Sequence, residues 1–427
     1  MSMINASNKN LDDLRGVVQL LWGVDVQEDT FRRWTQGFSF SADEPTALVQ
    51  FEGGPCGVIA PIQAHILKNI ISTRNETDDW KQADTEDQNN LLTDAFSEIL
   101  TKAYNGTQYY VVHTLDKEVV DKPLELNHML FHSSLRLTVL NDIQEVKAFL
   151  KENINIFRDT FGVLLFLYSV MCSRGLEVIQ NEICGTEEPL IDYSHGYGSQ
   201  VLINLLITGN AVPYLFNEKR DVGGLTLYGI PKQSDIGFLT LLEHLRYCEV
   251  GSYLKKPSSS VWVLASETHL TVLFSFEKRL TKSETPADIA RRIFGQFDPE
   301  GNNFINADSL GDLLNKLDLV SDKEYVNIMR DKLDSEKLGI ILLSSFMEEF
   351  FPENERLNHP DVFRVFHYNG QPQSNPDSKV VYHQGTAVLL ECDLPCTIEN
   401  NSLSTCLQTK WPSIDVQWNS VVTPSLN

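Results

Sequence analysis

Residues 50–57 have the composition of a nucleophile elbow, a tight turn that presents a reactive side chain at the start of a helix. Two glycines and a proline precede Cys56, and such residues favour turns in which a ligand can approach the backbone closely. After Cys56, isoleucine and leucine recur at spacings of three and four residues. This pattern predicts an amphipathic helix with Pro61 in its first turn. We therefore expect Cys56 at a helix N-terminus.

A cysteine in that position is a candidate nucleophile. The positive end of the helix dipole favours the thiolate, so we expect the pKa of Cys56 to be lower than that of a free cysteine. Gln50 lies upstream in the same segment, and its side-chain amide could bind an oxyanion together with the backbone N–H of Cys56. The alternative is that Cys56 is a small core residue, which is the commoner role of a cysteine.

A cysteine nucleophile needs a base, and His269 is the candidate. It stands between two runs typical of strands, residues 261–266 and 270–274, and therefore opens the second strand. A histidine fixed at a strand end can be aimed at a thiol that is distant in sequence. The chain contains 10 histidines, so a structural or surface role for His269 stays open. His195, in a loop rich in turn-forming residues, is another candidate.

Composition limits the class of protein. The 427 residues are 42% apolar, which is enough for a large core in two or three domains. The 35 Lys and Arg against 58 Asp and Glu give a formal net charge of −23. That charge argues against nucleic acid and anionic membrane as main partners and favours a basic protein partner.

Cysteine usage and hydropathy indicate the compartment. Seven cysteines without regular spacing suggest reduced thiols rather than a disulfide framework. The first residues lack the basic start and apolar core of a secretory signal, and the longest apolar run, residues 163–172, is too short to span a bilayer. We expect an intracellular protein of the nucleus, the cytoplasm or both, with no cofactor.

Periodicity predicts a mixture of helices and strands. Helical spacing is present at residues 11–22, 91–104, 201–208 and 238–247, and residues 161–172 are apolar nearly all round, as in a buried helix. Alternating or β-branched runs predict further strands at residues 107–112, 135–139, 362–368, 380–383, 386–390 and 413–418.

Residues 284–352 have the outline of an inserted pair of EF-hands. The first loop, residues 298–309, has Asn303 where a glycine usually makes the turn and Ser309 in place of the closing bidentate glutamate. A second loop, residues 334–345, repeats the outline and again ends in serine. We expect a module without calcium, kept for packing or partner contact, whose loops pair through residues 304–305 and 340–341.

Cys392, Cys396 and Cys406 invite a zinc interpretation, since the first gap of three residues lies in the usual range. No partner pair of cysteine or histidine follows at the usual spacing, so we expect no metal site there.

Several separated motifs resemble those of the MINDY family of cysteine deubiquitinases. The matching segments are residues 51–59 with Gln63, 161–169, 202–212, 266–272, 408–412 and 424–427. The EF-hand-like insertion is similar to that of the branch known as the third member of the family. The resemblance implies an α+β, papain-like cysteine protease fold and ubiquitin or polyubiquitin as partners.

The resemblance also implies residue roles: Cys56 as nucleophile, His269 as general base and Gln50 as the oxyanion-hole glutamine. The implied reaction is cleavage of the isopeptide bond at the C-terminus of ubiquitin, in the polyubiquitin linkage that directs proteins to the proteasome. No residue that orients His269 is evident from the sequence, and Glu267 is left outside the predicted site.

The domain division that follows has three parts. Residues 1–283 form a catalytic domain, residues 284–352 the EF-hand-like insertion, and residues 353–427 the strands that complete the catalytic domain. Two alternatives stay open. One is a catalytically inactive scaffold that binds ubiquitin or a partner through the insertion, and the other is a different cysteine acyl-transfer enzyme.

Overall fold

A computed structural model describes residues 2–114, 127–183, 188–281, 285–298, 301–352, 360–389, 401–420 and 422–427. Its helices, in chain order, are α1 Ser2–Trp22, α2 Glu28–Arg33, α3 Cys56–Thr73, α4 Thr85–Ala103, α5 His128–Ser134, α6 Ile143–Arg158, α7 Gly162–Arg174, α8 Leu176–Ile183, α9 Gln200–Thr208, α10 Leu241–His244, α11 Ser252–Lys255, α12 Pro286–Phe297, α13 Leu310–Lys316, α14 Lys323–Leu333, α15 Leu343–Phe350 and α16 Ser402–Gln408. The strands are β1 Ser39–Phe40, β2 Leu48–Val49, β3 Tyr109–Thr114, β4 Leu135–Leu140, β5 Lys219–Val222, β6 Leu225–Tyr228, β7 Gly237–Thr240, β8 Val261–Ala265, β9 Leu270–Phe274, β10 Phe304–Asn306, β11 Ile340–Leu342, β12 Val362–Tyr368, β13 Tyr382–Leu389 and β14 Ile414–Trp418. The protein is mixed α+β.

The largest sheet has six strands in the order β14-β13-β12-β9-β8-β7. Among the neighbouring strands of this sheet, β7 and β8 are parallel and all the other pairs are antiparallel. Because successive side chains of a strand point to opposite faces, each strand serves two cores. Val261 and Val263 of β8 face the main core, whereas Trp262 and Leu264 face a second cluster beneath α16.

The main core lies between this sheet and the helices. α3 packs on β8 and β9 and is flanked by α4 and α9. α7 is apolar on every side, and all of its residues up to Ser173 are buried, as its composition predicts. The helix that begins at Cys56 is thereby held between the sheet and an outer layer of helices.

Buried charges fix the middle of α3. Lys68 forms ion pairs with Glu98 of α4 and, at 2.6 Å, with Asp235, which precedes β7. Lys102 of α4 also pairs with Asp235, and burial lowers the pKa of Lys102 to about 8. Removing one partner of such a network would leave a buried charge uncompensated, at a cost of about 3–5 kcal/mol.

The insertion forms two helix–loop–helix units joined by a short antiparallel pair. Ile305 of β10 lies opposite Ile341 of β11, so the predicted pairing of the two loops is confirmed. α12, α13 and α15 surround a separate apolar cluster that contains Phe294, Leu314 and Phe346. These residues therefore have a core of their own.

Two details of the sequence-based outline are wrong. Residues 238–247 do not form one helix, because residues 237–240 are buried strand β7 paired with β8, and only α10 is helical. Sheet pairing here overrides the helical spacing. Pro61 lies in the second turn of α3 rather than the first. Since proline has no N–H, the bond to the carbonyl of Gly57 is absent at that point.

Within the described residues, no single helix is long and apolar enough to cross a membrane, and only the bent pair α7 and α8, at 84°, passes that test of length and composition.

Candidate active site

The elbow has the predicted form, and α3 begins at Cys56 itself. Gly54 has a φ of +125°, a conformation that L side chains rarely adopt. A Cβ atom on Gly54 would lie 2.9 Å from both the carbonyl of Gly196 and the indole Nε1 of Trp34. That indole donates to the same carbonyl at 2.9 Å. The turn before Cys56 is therefore packed against the 192–199 loop and needs glycine.

The thiol of Cys56 is buried, and burial raises its pKa to about 11. Backbone hydrogen bonds from Leu270, Gly57 and other neighbours oppose this shift without reversing it. The prediction of a lowered pKa is therefore wrong for the free protein, since desolvation of the thiolate outweighs the helix terminus. The contact with Leu270 also shows that the thiol lies beside the residue that follows His269.

His269 stands at the turn between β8 and β9, as predicted, and its side chain is buried. Its backbone N–H donates to the hydroxyl of Ser266 at 3.0 Å, which closes the turn. Its Nε2 lies 2.9 Å from Oδ1 of Asn369, the residue that follows β12. Burial lowers the pKa of His269, and the bond to Asn369 partly opposes that change. The imidazole is therefore neutral at pH 7.

The hydrogen bonds of Asn369 define the tautomer of this histidine. The backbone N–H of Gln371, which can only donate, points at Oδ1 of Asn369 at 3.0 Å. Because Oδ1 is thus the acceptor, Nε2 of His269 must carry the proton. Its Nδ1 is buried and has no hydrogen-bond partner. The lone pair of a base is therefore available on the side that Asn369 does not occupy.

Gln50 is buried next to the same corner of the sheet. Its backbone N–H donates to the carbonyl of Gly370 at 2.8 Å, directly after Asn369. Its side-chain Nε2 donates to the carbonyl of Glu52 at 2.7 Å. A primary amide has two N–H groups, so this bond fixes the amide and leaves a second donor.

Gln63 holds the strand that carries Gln50. From the second turn of α3, its Oε1 accepts the backbone N–H of Leu48 at 2.7 Å, and its Nε2 donates to the carbonyl of Thr46 and the hydroxyl of Tyr382. The hydroxyl of Tyr368 in turn donates to the carbonyl of Leu48 at 2.7 Å. The nucleophile helix, the Gln50 strand and the end of β12 thus form one unit.

The structure therefore brings the three predicted residues into one region. Cys56 contacts Leu270, His269 precedes Leu270, and Gln50 is bonded to the residue after Asn369. Their mutual bonds are not formed, because the Cys56 thiol instead contacts the carbonyl of Gly54 at 3.7 Å. The resting site is an uncharged pair of thiol and imidazole.

Other residues considered from the sequence lie elsewhere. The His195 side chain is 69% exposed, where it contacts Asp192 and stacks on Tyr197. Glu267 is exposed as well. Cys406 is a buried free thiol, while Cys392 and Cys396 lie outside the described residues. In the part of the chain that the structure describes, no three His, Cys, Asp or Glu side chains are grouped to hold a metal.

Asn369 is the site residue that sequence reasoning missed. One signal was present, because Asn369 and Gly370 form an Asn-Gly turn after a predicted strand. What the sequence did not contain was the pairing of β12 with β9, which places that turn next to His269.

Comparisons with known proteins define the class. Residues 19–290 match the family model described as deubiquitinating enzyme MINDY-3/4, conserved domain. The ubiquitin carboxyl-terminal hydrolase MINDY-3 homolog of Drosophila melanogaster is 44% identical, over 100% of this chain and 84% of that protein. The human ubiquitin carboxyl-terminal hydrolase MINDY-3 is 42% identical, over 96% of this chain and 98% of its own length.

The probable ubiquitin carboxyl-terminal hydrolase MINDY-4 of Xenopus tropicalis is 32% identical over 57% of this chain and 34% of that protein. No solved structure matches the chain. The class that these matches define is that of the thiol-dependent deubiquitinating enzymes. Within it, the chain belongs to the MINDY-3/4 family, so the resemblance seen in the motifs is confirmed.

The elbow can be tested with two neighbouring glycines. Gly54→Ala should lower the free energy of unfolding by about 1–3 kcal/mol, because a side chain is forced into the left-handed region against Gly196 and Trp34. Gly53→Ala is the matched control, since nothing lies within 4 Å of a Cβ at that position, and it should stay within about 0.5 kcal/mol. Urea denaturation measures both, and equal losses would contradict the proposed packing.

The raised pKa of Cys56 predicts the pH dependence of its alkylation in the free protein. A thiol with a pKa of about 11 is protonated at neutral pH, so its rate of reaction with iodoacetamide should rise steadily between pH 7 and pH 10. Mass spectrometry of the peptide that contains Cys56 separates it from the other thiols. A rate that levels off below pH 8 would show a low-pKa thiolate and refute the buried state.

Proposed function

We propose that this chain hydrolyses the isopeptide bond at the C-terminus of ubiquitin in polyubiquitin chains, with Cys56, His269 and Gln50 as its catalytic residues. The observation that carries the proposal is Nδ1 of His269, which is buried and has no hydrogen-bond partner. The next residue, Leu270, is the one whose backbone contacts the Cys56 thiol. A base with a free lone pair and a thiol with an abstractable proton are what acyl transfer requires.

The first step forms a thioester. Sγ of Cys56 transfers its proton to Nδ1 of His269 and attacks the carbonyl carbon of the ubiquitin C-terminal residue. The resulting imidazolium, held through Nε2 by Asn369, protonates the departing lysine amine as the C–N bond breaks. His269 then takes a proton from the water that attacks the thioester, and it returns this proton to Sγ as the C–S bond breaks, which releases the ubiquitin C-terminus and restores the free thiol.

The developing oxyanion needs donors that are already oriented. The backbone N–H groups of Cys56 and Gly57, at the start of α3, have no partner within the helix and lie around the Cys56 sulfur. Gln50 adds the second N–H of an amide that Glu52 holds in place. Donors fixed before the reaction stabilise the oxyanion without a cost of reorganisation.

The fold class and linkage are part of the proposal. A Cys-His-Asn arrangement is used by papain-like proteases, and the order Cys56, His269, Asn369 supports a papain-like fold for this chain. The preference for the polyubiquitin linkage that directs proteins to the proteasome comes from the resemblance, and a site of action in the nucleus or cytoplasm rests on cysteine usage and hydropathy. A panel of di-ubiquitins of each linkage tests the preference directly.

We also propose the three-part division, with residues 284–352 as an EF-hand-like module and residues 353–427 completing the catalytic domain. The separate apolar cluster of the insertion supports the first boundary. The second boundary is supported by β12, β13 and β14, which extend the sheet formed by β7, β8 and β9.

Ubiquitin that carries a C-terminal electrophile tests the central proposal. It should form a covalent adduct on Cys56 alone, because this thiol lies beside His269, whereas Cys172 and Cys406 are buried away from it. Cys56→Ala should abolish the adduct, and Cys248→Ala, which changes a partly exposed thiol, is the matched control. An adduct that survives Cys56→Ala would refute the nucleophile, and no adduct with the unaltered chain would favour an inactive scaffold. A panel of substrates then distinguishes a deubiquitinase from a different cysteine acyl-transfer enzyme.

Gln50→Ala should lower kcat for di-ubiquitin cleavage by roughly 10²–10³-fold, the scale for one lost oxyanion donor. KM should change little, because the contact strengthens only as the oxyanion forms. Gln36→Ala is the control for general disturbance of this loop, since the Gln36 side-chain amide bonds the backbone groups of Val49 and Phe51. Near-normal turnover in a folded Gln50→Ala protein would reject the assignment.

The insertion should not bind calcium at micromolar concentration. In both loops the first aspartate accepts two backbone N–H groups, and the last position is a serine rather than a bidentate glutamate. Asn303 adopts a φ of +61°, so the turn itself is made without glycine. Titration calorimetry should show no isotherm for the natural chain, whereas Ser309→Glu, which restores the closing carboxylate, should bind. A micromolar isotherm for the natural chain would overturn this prediction.

A further inference from the structure

The 424–427 segment is anchored on the face of the large sheet that lies away from the main core. Leu426 is 1% exposed and belongs to the second apolar cluster, together with Trp262, Leu273 and Phe363. Pro424 is buried as well, whereas Val422 is 63% exposed. Burial of a leucine side chain is favourable because its apolar surface is removed from water. The segment is therefore held in place, with Leu426 as its anchor.

The anchored segment is hydrogen-bonded to the side chain of Asn369. Nδ2 of Asn369 donates to the main-chain oxygens of Ser425, at 3.2 Å, and Asn427, at 3.3 Å. The Ser425 hydroxyl donates to the Asn427 oxygen at 2.6 Å and accepts the Asn427 N–H at 3.0 Å. This small turn keeps both oxygens on the side of the Asn369 amide.

These contacts determine which way the amide points. Main-chain oxygens only accept hydrogen bonds, so they hold the NH2 end of Asn369 on their side and its Oδ1 towards Nε2 of His269. Without them, the N–H of Gln371 alone would oppose a flip of the amide. A flipped amide would donate to Nε2 and favour the tautomer with the proton on Nδ1, which cannot act as a base towards Cys56.

We propose that the 424–427 segment is a positioning element for catalysis, which acts through Asn369 to keep His269 in the tautomer that accepts the Cys56 proton. The proposal rests on the role of His269 as general base. The segment does not touch substrate in this scheme, and its contribution lies in kcat rather than in KM.

The first test compares two aspartates in the same segment. Leu426→Asp removes the anchor, and it should lower kcat for di-ubiquitin by up to about 10²-fold, the scale for misplacing a catalytic group through a change away from the chemistry. KM should stay within about twofold. Val422→Asp places the same charge at an exposed position and should leave kcat unchanged. Leu426→Met keeps an apolar side chain at the anchor and should retain activity. Deletion of residues 424–427 gives the same result as Leu426→Asp without burying a charge.

Loss of core packing alone is excluded with Leu403→Ala, which opens a cavity in the same cluster away from Asn369. It should lower the melting temperature as deletion of the segment does, with kcat unchanged. A double-mutant cycle completes the argument, because deletion of the segment should have no further effect on kcat in the Asn369→Ala background.

The direct readout is the ¹⁵N spectrum of histidine-labelled protein, with the His269 signals assigned by their loss in His269→Gln. The unaltered chain should show the proton on Nε2, and the deletion variant should show a mixture of tautomers. An unchanged tautomer, or an equal loss of kcat in both backgrounds, would overturn the proposal. The spectrum needs no ubiquitin, so failure of the unaltered chain to cleave ubiquitin would refute the proposed function and leave this test intact.

Discussion

The hydrogen bond between His269 and Asn369 joins residues 100 positions apart, and the arrangement of the whole site depends on it. It forms because β9 pairs with β12 across the inserted residues, which brings the start of one strand next to the end of the other. The same corner holds Gln50 through the carbonyl of Gly370. α3 then has one way to pack, with Cys56 against Leu270. Strand pairing is thus the constraint, and the chemical groups lie at the ends of the paired strands.

The sequence contained the local half of this arrangement. Short-range patterns predict the turn before Cys56, the helix that begins there and the strand that follows His269, because turns, helices and strands each have local sequence signatures. Asn369 was not found, since its role depends on a pairing between distant strands that no local pattern encodes. For the same reason, the helical spacing of residues 238–247 does not reveal the strand β7, which pairs with β8. The ionisation of Cys56 was wrongly predicted because the helix dipole is a local effect, whereas burial depends on the entire fold.

Burial shifts the pKa values of Cys56 and His269 in opposite directions, and both shifts favour the neutral form. The pKa of the thiol rises and that of the imidazole falls, so an ion pair is disfavoured while the site is empty. The amide of Asn369 still holds Nε2 as a donor, so the tautomer that proton transfer requires exists before the charges do. In the proposed mechanism, catalysis therefore relies on the orientation of uncharged groups, and charge separation is confined to the reaction itself.

A protonated thiol also has a consequence for survival of the protein under oxidative stress. The thiolate is the form of cysteine that attacks peroxide, and oxidation beyond the sulfenic acid is irreversible for most cysteines. With a pKa of about 11, roughly one Cys56 in 10⁴ is ionised at neutral pH, against a few per cent for a free cysteine. Burial of the Cys56 thiol should thus also slow its oxidation by peroxide, relative to that of an exposed cysteine.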